Sequence, residues 1–372
     1  MKSYNHLMKI YLSDDTYEIS VHDACLGKHS HRRQARAGYI REHKDELKPE
    51  LIEYARHFYN KPHRPKQIYD GVRRKQRTII VPYIEEQVVH HMIVNTMRPI
   101  WLSSMYEHSY GSIPGRGAHK AKARIERWIA KGGRDMKYCL KMDIRKYFDS
   151  VSHSVLKRKL SEQIHDAEFL QVMLTLVDAT EKGLPLGFYT SQWLANWYLE
   201  GLDHFIKEDL RARYYVRYMD DMVIFGGNKK VLHEMRRRIS EYLETELELE
   251  LKGDWQVFLF DYVDKNGDHR GRFLDFLGFR FYRDRTTLRR QIMLKATRKA
   301  ARLRKKHYAN VYDCRQMLSY LGWIDCTDTY GMYKRYIKPN ISFRRLRKNI
   351  SRYDKKRSSE NVERSRECNK AE

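Results

Sequence analysis

The 372 residues allow two or three packed subdomains, and lysine plus arginine outnumber aspartate plus glutamate by 73 to 48, a formal charge of +25 that points to a polyanionic partner, nucleic acid first. The five cysteines are odd in number and scattered without C-x-x-C spacing, which excludes a disulfide framework and fits a reducing cytoplasm. No stretch approaches the roughly 18 consecutive apolar residues of a membrane span and no basic-then-apolar leader opens the chain, so the sequence predicts a cytoplasmic, unprocessed protein with no membrane partner.

Residues 1–65 are polar and helix-prone, with a basic stretch around Lys28 to Arg36. His22, Cys25, His29 and His31 fit no common zinc-ligand spacing and read as a surface helix or loop. Gly71 to Pro82 is a glycine turn feeding a basic edge and a β-branched run closed by proline, which predicts a basic hairpin. Ile84, Val88, Met92 and Thr96, with Val89, Ile93 and Met97 alongside, recur at helical spacing and predict a half-buried helix. Tyr110-Gly111-Ser112-Ile113-Pro114-Gly115-Arg116-Gly117 holds too many backbone breakers for a regular element, and a helical pattern resumes from Ala118 to Ile129. Tyr138 to Asp143 reads as a buried strand ending in a carboxylate. Thr190 and Ser191 are placed to cap a helix carrying Leu194, Tyr198, Leu202 and Ile206 on one face. Arg213 to Phe225 is β-rich on both sides of Met219-Asp220-Asp221, the pattern of a tight hairpin with an acidic tip. A helix from about Lys230 to Glu246, strands near Trp255 to Tyr262 and Phe273 to Tyr282, and a basic helical segment from Leu288 to Ile350 complete the order. Beyond Lys348 apolar residues nearly vanish, which predicts a solvated, disordered tail. This irregular alternation of strands and helices favours an α+β fold over a doubly wound parallel sheet.

Asp143 at a strand end and Asp220-Asp221 at a hairpin tip converge if the two strands are neighbours in one sheet. Three carboxylates gathered in one place repel one another unless cations sit among them. Two magnesium ions roughly 4 Å apart would neutralise them and serve an in-line phosphoryl displacement. An isolated Asp-Asp pair is commonly a plain surface turn, and it is the flanking residues that set this one apart.

Val216-Arg217-Tyr218-Met219-Asp220-Asp221-Met222-Val223-Ile224-Phe225-Gly226 resembles the signature of reverse transcriptases, and the family's other motifs follow in order over about residues 70–340. The resemblance implies a right-hand polymerase: an N-terminal helical extension (1–65), fingers and an antiparallel-sheet palm (66–285), a helical basic thumb (286–348) and a charged tail (349–372). It implies an RNA-directed DNA polymerase that uses dNTPs, an RNA template and the nascent DNA. Asp143, Asp220 and Asp221 match the catalytic carboxylates, with the carbonyl of Ile144 as a further metal ligand. Phe148 matches the aromatic gate that leaves no room for a 2′-hydroxyl, and Lys75 and Arg77 match the finger hairpin that grips the triphosphate. Leu186, Gly187 and Gln192 fall beside the nascent base pair. Arg116, Tyr218 and Met219, with the primer-grip segment Phe276-Leu277-Gly278, fall on template and primer. Lys252 stands where the family often has a lysine able to protonate pyrophosphate, and a merely solvated lysine reads equally well.

Within Gly183-Leu184-Pro185-Leu186-Gly187-Phe188-Tyr189-Thr190-Ser191-Gln192, most reverse transcriptases have glutamine before the second glycine and proline after the serine. Leu186 and Gln192 at those positions resemble the enzymes of diversity-generating retroelements, which implies a structured template RNA and a small basic accessory protein as partners. No H-N-H-like endonuclease pattern or maturation domain follows the thumb, and the short retron signatures N-A-x-x-H and V-T-G are missing. The N-terminal extension and the charged tail match neither pattern, which keeps a defence-associated reverse transcriptase with a dedicated noncoding RNA as the alternative. An RNA-copying RNA polymerase is opposed by Phe148, and a catalytically inactive, RNA-binding palm by the retention of all three carboxylates.

Overall fold

A computed structural model of the chain describes residues 3–28, 30–70, 75–306 and 309–368. The chain forms two compact units, one of residues 1–121 and 132–259, the other of residues 122–131 and 260–372. Among the described residues no helix is long and apolar enough to cross a membrane.

In the first unit the N-terminal region is helical throughout, with helices Leu7–Tyr11, Asp14–Cys25, His31–Glu42 and Lys44–Arg56. Ser13 starts the second of these by accepting a hydrogen bond from the Thr16 N–H. Tyr11, Tyr17, Val21, Ile40 and Ala55 are buried and join one core with Val88, Val89, Met92 and Ile93 of the helix Ile84–Ser104, whose apolar spacing the sequence displays. His22 and Cys25 lie on the helix Asp14–Cys25, and His29 is outside the described residues.

Strands β1 (Lys66–Asp70) and β2 (Lys75–Ile79) pair antiparallel as the basic hairpin, Ile68 opposite Arg77; its turn, residues 71–74, lies outside the described residues. The central sheet has four antiparallel strands, β3 (Tyr138–Met142), β4 (Tyr214–Tyr218), β5 (Asp221–Gly226) and β6 (Gln256–Leu259), in the order β4-β5-β3-β6. Tyr215, Val216, Met222, Val223 and Ile224 are buried, and helices capped by Ser152, Asp166 and Asn228 cover the sheet's connections. This is the α+β arrangement with an antiparallel sheet that the sequence predicts.

The second unit holds the short pair β7 (Tyr262–Val263) and β8 (His269–Arg270), and a three-stranded antiparallel sheet of β9 (Leu274–Phe276), β10 (Phe279–Phe281) and β11 (Thr286–Leu288). Short strands fall near 255–262 (β6 and β7) and near 273–282 (β9 and β10), where the sequence expects them. In the second case Leu277 and Gly278 take φ of 52° and 86°, the backbone of a two-residue hairpin turn. Helices Arg290–Arg304, Val311–Asp325 and Phe343–Cys368 follow. The last helix runs through the segment that composition reads as a disordered tail. Its start is anchored by the buried Phe343 and Leu346, and further on Asp354 receives Arg315 at 2.7 Å.

Candidate active site

The register of the sheet brings the acidic residues together. Met142 at the end of β3 pairs with Met222 near the start of β5, and Tyr218 pairs with Asp221 across the β4–β5 turn, so Asp143 emerges beside that turn. Met219 turns the chain in the left-handed region, φ 54°, immediately before Asp220. Burial, and then the charge of Asp143 with a smaller push from Asp221, hold the Asp220 carboxyl well above the usual carboxylate range. Lys252 stands at the rim: its N–H donates to the Asp143 carbonyl at 2.8 Å, and its Nζ lies 2.7 Å from Asp254 Oδ2 and 3.5 Å from Asp143 Oδ2. Ile144 is buried and bridges to Leu251. Crowded carboxylates that repel one another form a hard, all-oxygen donor set, the chemistry that fits a divalent cation such as magnesium.

The residues expected around the nucleotide are joined by main-chain hydrogen bonds. The Leu184 N–H donates to the Phe148 carbonyl at 2.7 Å, and the Ile80 N–H, just past β2, donates to the Leu186 carbonyl at 2.7 Å. The finger hairpin, the Leu186-Gly187 segment and the Phe148 backbone are therefore one connected frame. Gly187 has φ 110°, and a Cβ there would run into the Ile80 carbonyl oxygen, so only glycine fits. Phe188 is buried, with the rings of His90 at 4.6 Å and His63 at 5.9 Å. Gln192 is exposed on the first turn of the helix Tyr189–Tyr198, Leu186 and Phe148 are half-buried, and Arg77 is half-buried in β2. Lys75 opens β2, and its side chain lies outside the description. Thr190 and Ser191 do not cap that helix: it starts at Tyr189, and the Ser191 hydroxyl donates instead to the Pro185 carbonyl at 2.8 Å. The face they were expected to begin is also split, since Leu202 lies on a second short helix, Glu200–His204.

Arg116 Nη1 donates to the carbonyls of Tyr106 at 2.7 Å and Ser109 at 2.9 Å, stapling its own loop. In that loop Gly111 passes so near the acidic turn that a Cβ would stand 2.6 Å from Met219 Cγ. Tyr218 is half-buried at the end of β4. In the second unit Phe276, Leu277 and Gly278 form the β9–β10 turn.

Sequence reading passed over three groups. Arg217 in β4 and Asp203 are both fully buried and form an ion pair, Nη2 to Oδ2 at 2.5 Å. The signal was available: a lone arginine inside the apolar run Tyr214-Tyr215-Val216-Arg217-Tyr218 either faces solvent or demands a buried anion. Glu86, fully buried, pairs with His63 at 2.9 Å. In the second unit Asp261, His269 and Asp284 bring their polar atoms within 4.8 Å of one another. There the imidazole Nδ1 lies 2.9 Å from Asp261, while Nε2 accepts from Arg285 Nη1 at 3.0 Å and stands 3.6 Å from Asp284.

An antiparallel sheet with carboxylates at one strand end and on the adjacent hairpin turn defines a polymerase palm. Residues 61–281 match the family described as reverse transcriptase (RNA-dependent DNA polymerase), and the chain belongs to that family. It is similar to Protein YkfC of Escherichia coli strain K12, 26% identical over 223 residues, covering 48% of this chain and 58% of that protein. It is also similar to the Retron Ec73 reverse transcriptase of Escherichia coli, 24% identical over 207 residues, covering 50% and 63%. The group II intron-encoded protein LtrA of Lactococcus lactis subsp. cremoris is 26% identical over 159 residues, covering 40% and 26%. The chain spans less than two thirds of the length of each of these relatives. Among solved structures, the apo telomerase of Candida tropicalis truncated from its C-terminal domain superposes with a TM-score of 0.46 at 14% identity, covering 67% of this chain and 60% of that one.

Proposed function

We propose that the protein is an RNA-directed DNA polymerase whose reaction runs at Asp143, Asp220 and Asp221. The observation that carries the proposal is the strand register that sets Asp143, at the end of β3, beside the β4–β5 turn bearing Asp220 and Asp221, where neighbouring carboxylates repel one another and call for cations. Asp143, Asp220 and Asp221, with the carbonyl of Ile144, would hold two magnesium ions. Bound there, the ions supply charge neutralisation for an in-line attack of the primer 3′-hydroxyl on the α-phosphate of a dNTP.

The chain's own groups do the positioning. Arg77 and Lys75 on β2 grip the triphosphate, and because Ile80 is bonded to Leu186, movement of the hairpin carries the Leu186-Gly187 segment with it. Phe148, its carbonyl fixed by Leu184, sets the floor under the sugar. Tyr218 and Met219 lie where primer and template pass; Arg116 supports them by holding the loop whose Gly111 touches Met219. Phe276, Leu277 and Gly278 act as the primer grip and the basic helices as a thumb that follows duplex phosphates.

Leu186 and Gln192 support a finer reading, in which the enzyme belongs to a diversity-generating retroelement, copies a structured noncoding RNA and works with a small basic accessory protein. The deciding experiment is extension of a DNA primer on an RNA template with dNTPs and magnesium. Template-dependent DNA synthesis is expected; a protein that binds RNA but never extends a primer overturns the proposal in favour of an RNA-binding palm.

A further inference from the structure

All three guanidinium nitrogens of the buried Arg217 donate hydrogen bonds. Its guanidinium has five N–H donors. Nε donates to Asp203 at 2.8 Å (Oδ1) and 3.1 Å (Oδ2), and Nη2 donates to Asp203 Oδ2 at 2.5 Å and to the Asn196 carbonyl at 3.2 Å. Nη1 donates to Asn196 Oδ1 at 3.2 Å and to the carbonyl of Met219 at 3.1 Å. Tyr215 adds its hydroxyl to Asp203 Oδ1 at 2.7 Å. The main chain of Arg217 is held as well, its N–H on the His108 carbonyl and its own carbonyl receiving the Tyr110 N–H.

Fold stability alone does not ask for this arrangement, because a buried ion pair is commonly replaceable by apolar residues of the same volume at no loss of stability. What apolar residues could not supply is the bond to the Met219 carbonyl. Met219 is a non-glycine residue in the left-handed region, and its carbonyl belongs to the peptide that leads into Asp220. A strained turn persists where its surroundings over-determine it. The same network reaches both other candidate regions: Asn196 Nδ2 donates to the Gly111 carbonyl at 2.7 Å and to the Gln192 carbonyl at 3.2 Å.

We propose that Arg217, held by Asp203 and Asn196, is a positioning residue for the polymerase reaction: it fixes the Met219-Asp220 peptide so that the Asp220 carboxylate faces Asp143, and through Asn196 it locks that turn to the Gly111 loop and the Gln192 helix. The inference rests on the polymerase reading, and the wild-type assay separates the two, since an inert wild type sinks that reading while leaving Arg217 unjudged only until folded variants are compared for carboxylate geometry.

The test uses the full chain with two variants. In Arg217→Met/Asp203→Leu both charges are removed together, so no buried ion is stranded and the variant is expected to fold, with melting lowered by the groups of Tyr215, Asn196 and Met219 that lose their partners. In Arg217→Lys the charge opposite Asp203 is kept, but one ammonium nitrogen cannot stand where Nε, Nη1 and Nη2 between them meet Asp203, Asn196 and Met219. Both folded variants should lose about 10- to 100-fold in the maximal extension rate, with the dNTP KM within about twofold and the magnesium concentration for half-maximal rate raised. In parallel, magnesium affinity measured by calorimetry, without nucleotide, should weaken in both, a readout that holds even for an inert enzyme. A double variant that folds, binds magnesium and extends like wild type overturns the proposal. So does failure of both variants to fold, which would assign Arg217 to the fold alone.

Discussion

The first unit carries two antiparallel hairpins of opposite charge, and they are held in different ways. In β4–β5 every residue from Tyr214 to Arg217 and from Met222 to Phe225 is buried, the strands lie in a four-stranded sheet, and the turn is stapled by Arg217 and covered by Gly111. In β1–β2 Lys66, Gln67, Tyr69, Gln76 and Thr78 are exposed, and the two strands form a sheet of their own. A lone two-stranded ribbon is marginally stable in water, and the bond from Ile80 to Leu186 is its link to the nucleotide frame. The acidic hairpin is thus held by the fold around it, whereas the basic hairpin is the one proposed to meet the triphosphate. Damage to the first should appear in kcat, and damage to the second in KM.

The largest effect is expected at the acidic turn. Asp220→Asn keeps the shape and removes one charge from the site proposed to hold two cations, so primer extension should fall about a thousandfold or more while RNA affinity stays within a few-fold. Near-normal extension by this variant would leave the two hairpins without the distinction drawn above. Next comes Arg77→Ala on the basic hairpin, where losing a charge-assisted contact should raise the dNTP KM by roughly 10- to 100-fold with kcat nearly kept. Steady-state kinetics on a primed template decide it, and a fall in kcat at unchanged KM would mean that β1–β2 does not hold the nucleotide.

The same contrast explains what was legible in the sequence. The acidic turn could be read because strand alternation and a carboxylate pair are local patterns, and β3, β4 and β5 fall where those patterns put them. The ties that hold the turn could not. Asp203 meets Arg217 from 14 positions away and Asn196 meets Gly111 across 85, and such pairs follow from packing rather than from any local spacing. Arg116 and Ser191 show the complementary limit: each was seen as a polar residue in a telling place, yet both spend their hydrogen bonds on nearby carbonyls. Leu277 carries no local signal for its positive φ, whereas Gly278 marks the place where β9 turns into β10.

A smaller effect is expected at Phe148, the proposed sugar gate, whose carbonyl joins the segment bonded to the basic hairpin. The Phe148 carbonyl is fixed by Leu184, and the ring packs edge-on at 5.7 Å against that of the buried Tyr147, so truncation of the side chain should leave the backbone in place. Phe148→Ala is expected to raise ribonucleotide over deoxynucleotide incorporation by about tenfold, the scale on which a pocket discriminates by shape. Competition of each rNTP with its dNTP on one template measures it. Equal use of both by the wild type would instead favour an RNA polymerase.

The smallest effect is the one that bears on biological role. Leu186 offers its carbonyl to the finger hairpin, but its side chain can pack and cannot hydrogen-bond, whereas glutamine at this position would add a polar contact to the nascent pair. One such contact is worth about 1 kcal/mol, and fidelity is a difference in transition-state binding, so its absence should raise errors several-fold. Leu186→Gln alone is the cleaner test. Adding Gln192→Pro would place proline inside the helix Tyr189–Tyr198, where its missing N–H and its ring disturb the first turn. The single variant should lower misincorporation several-fold opposite template adenines and less opposite the other bases, read by sequencing cDNA made from one defined RNA. The double variant should lower it no less if the helix tolerates proline. Equal adenine error rates in wild type and Leu186→Gln would leave the nucleotide frame intact but remove Leu186 as a determinant of fidelity, and with it the reason to place the enzyme in a diversity-generating element rather than in defence.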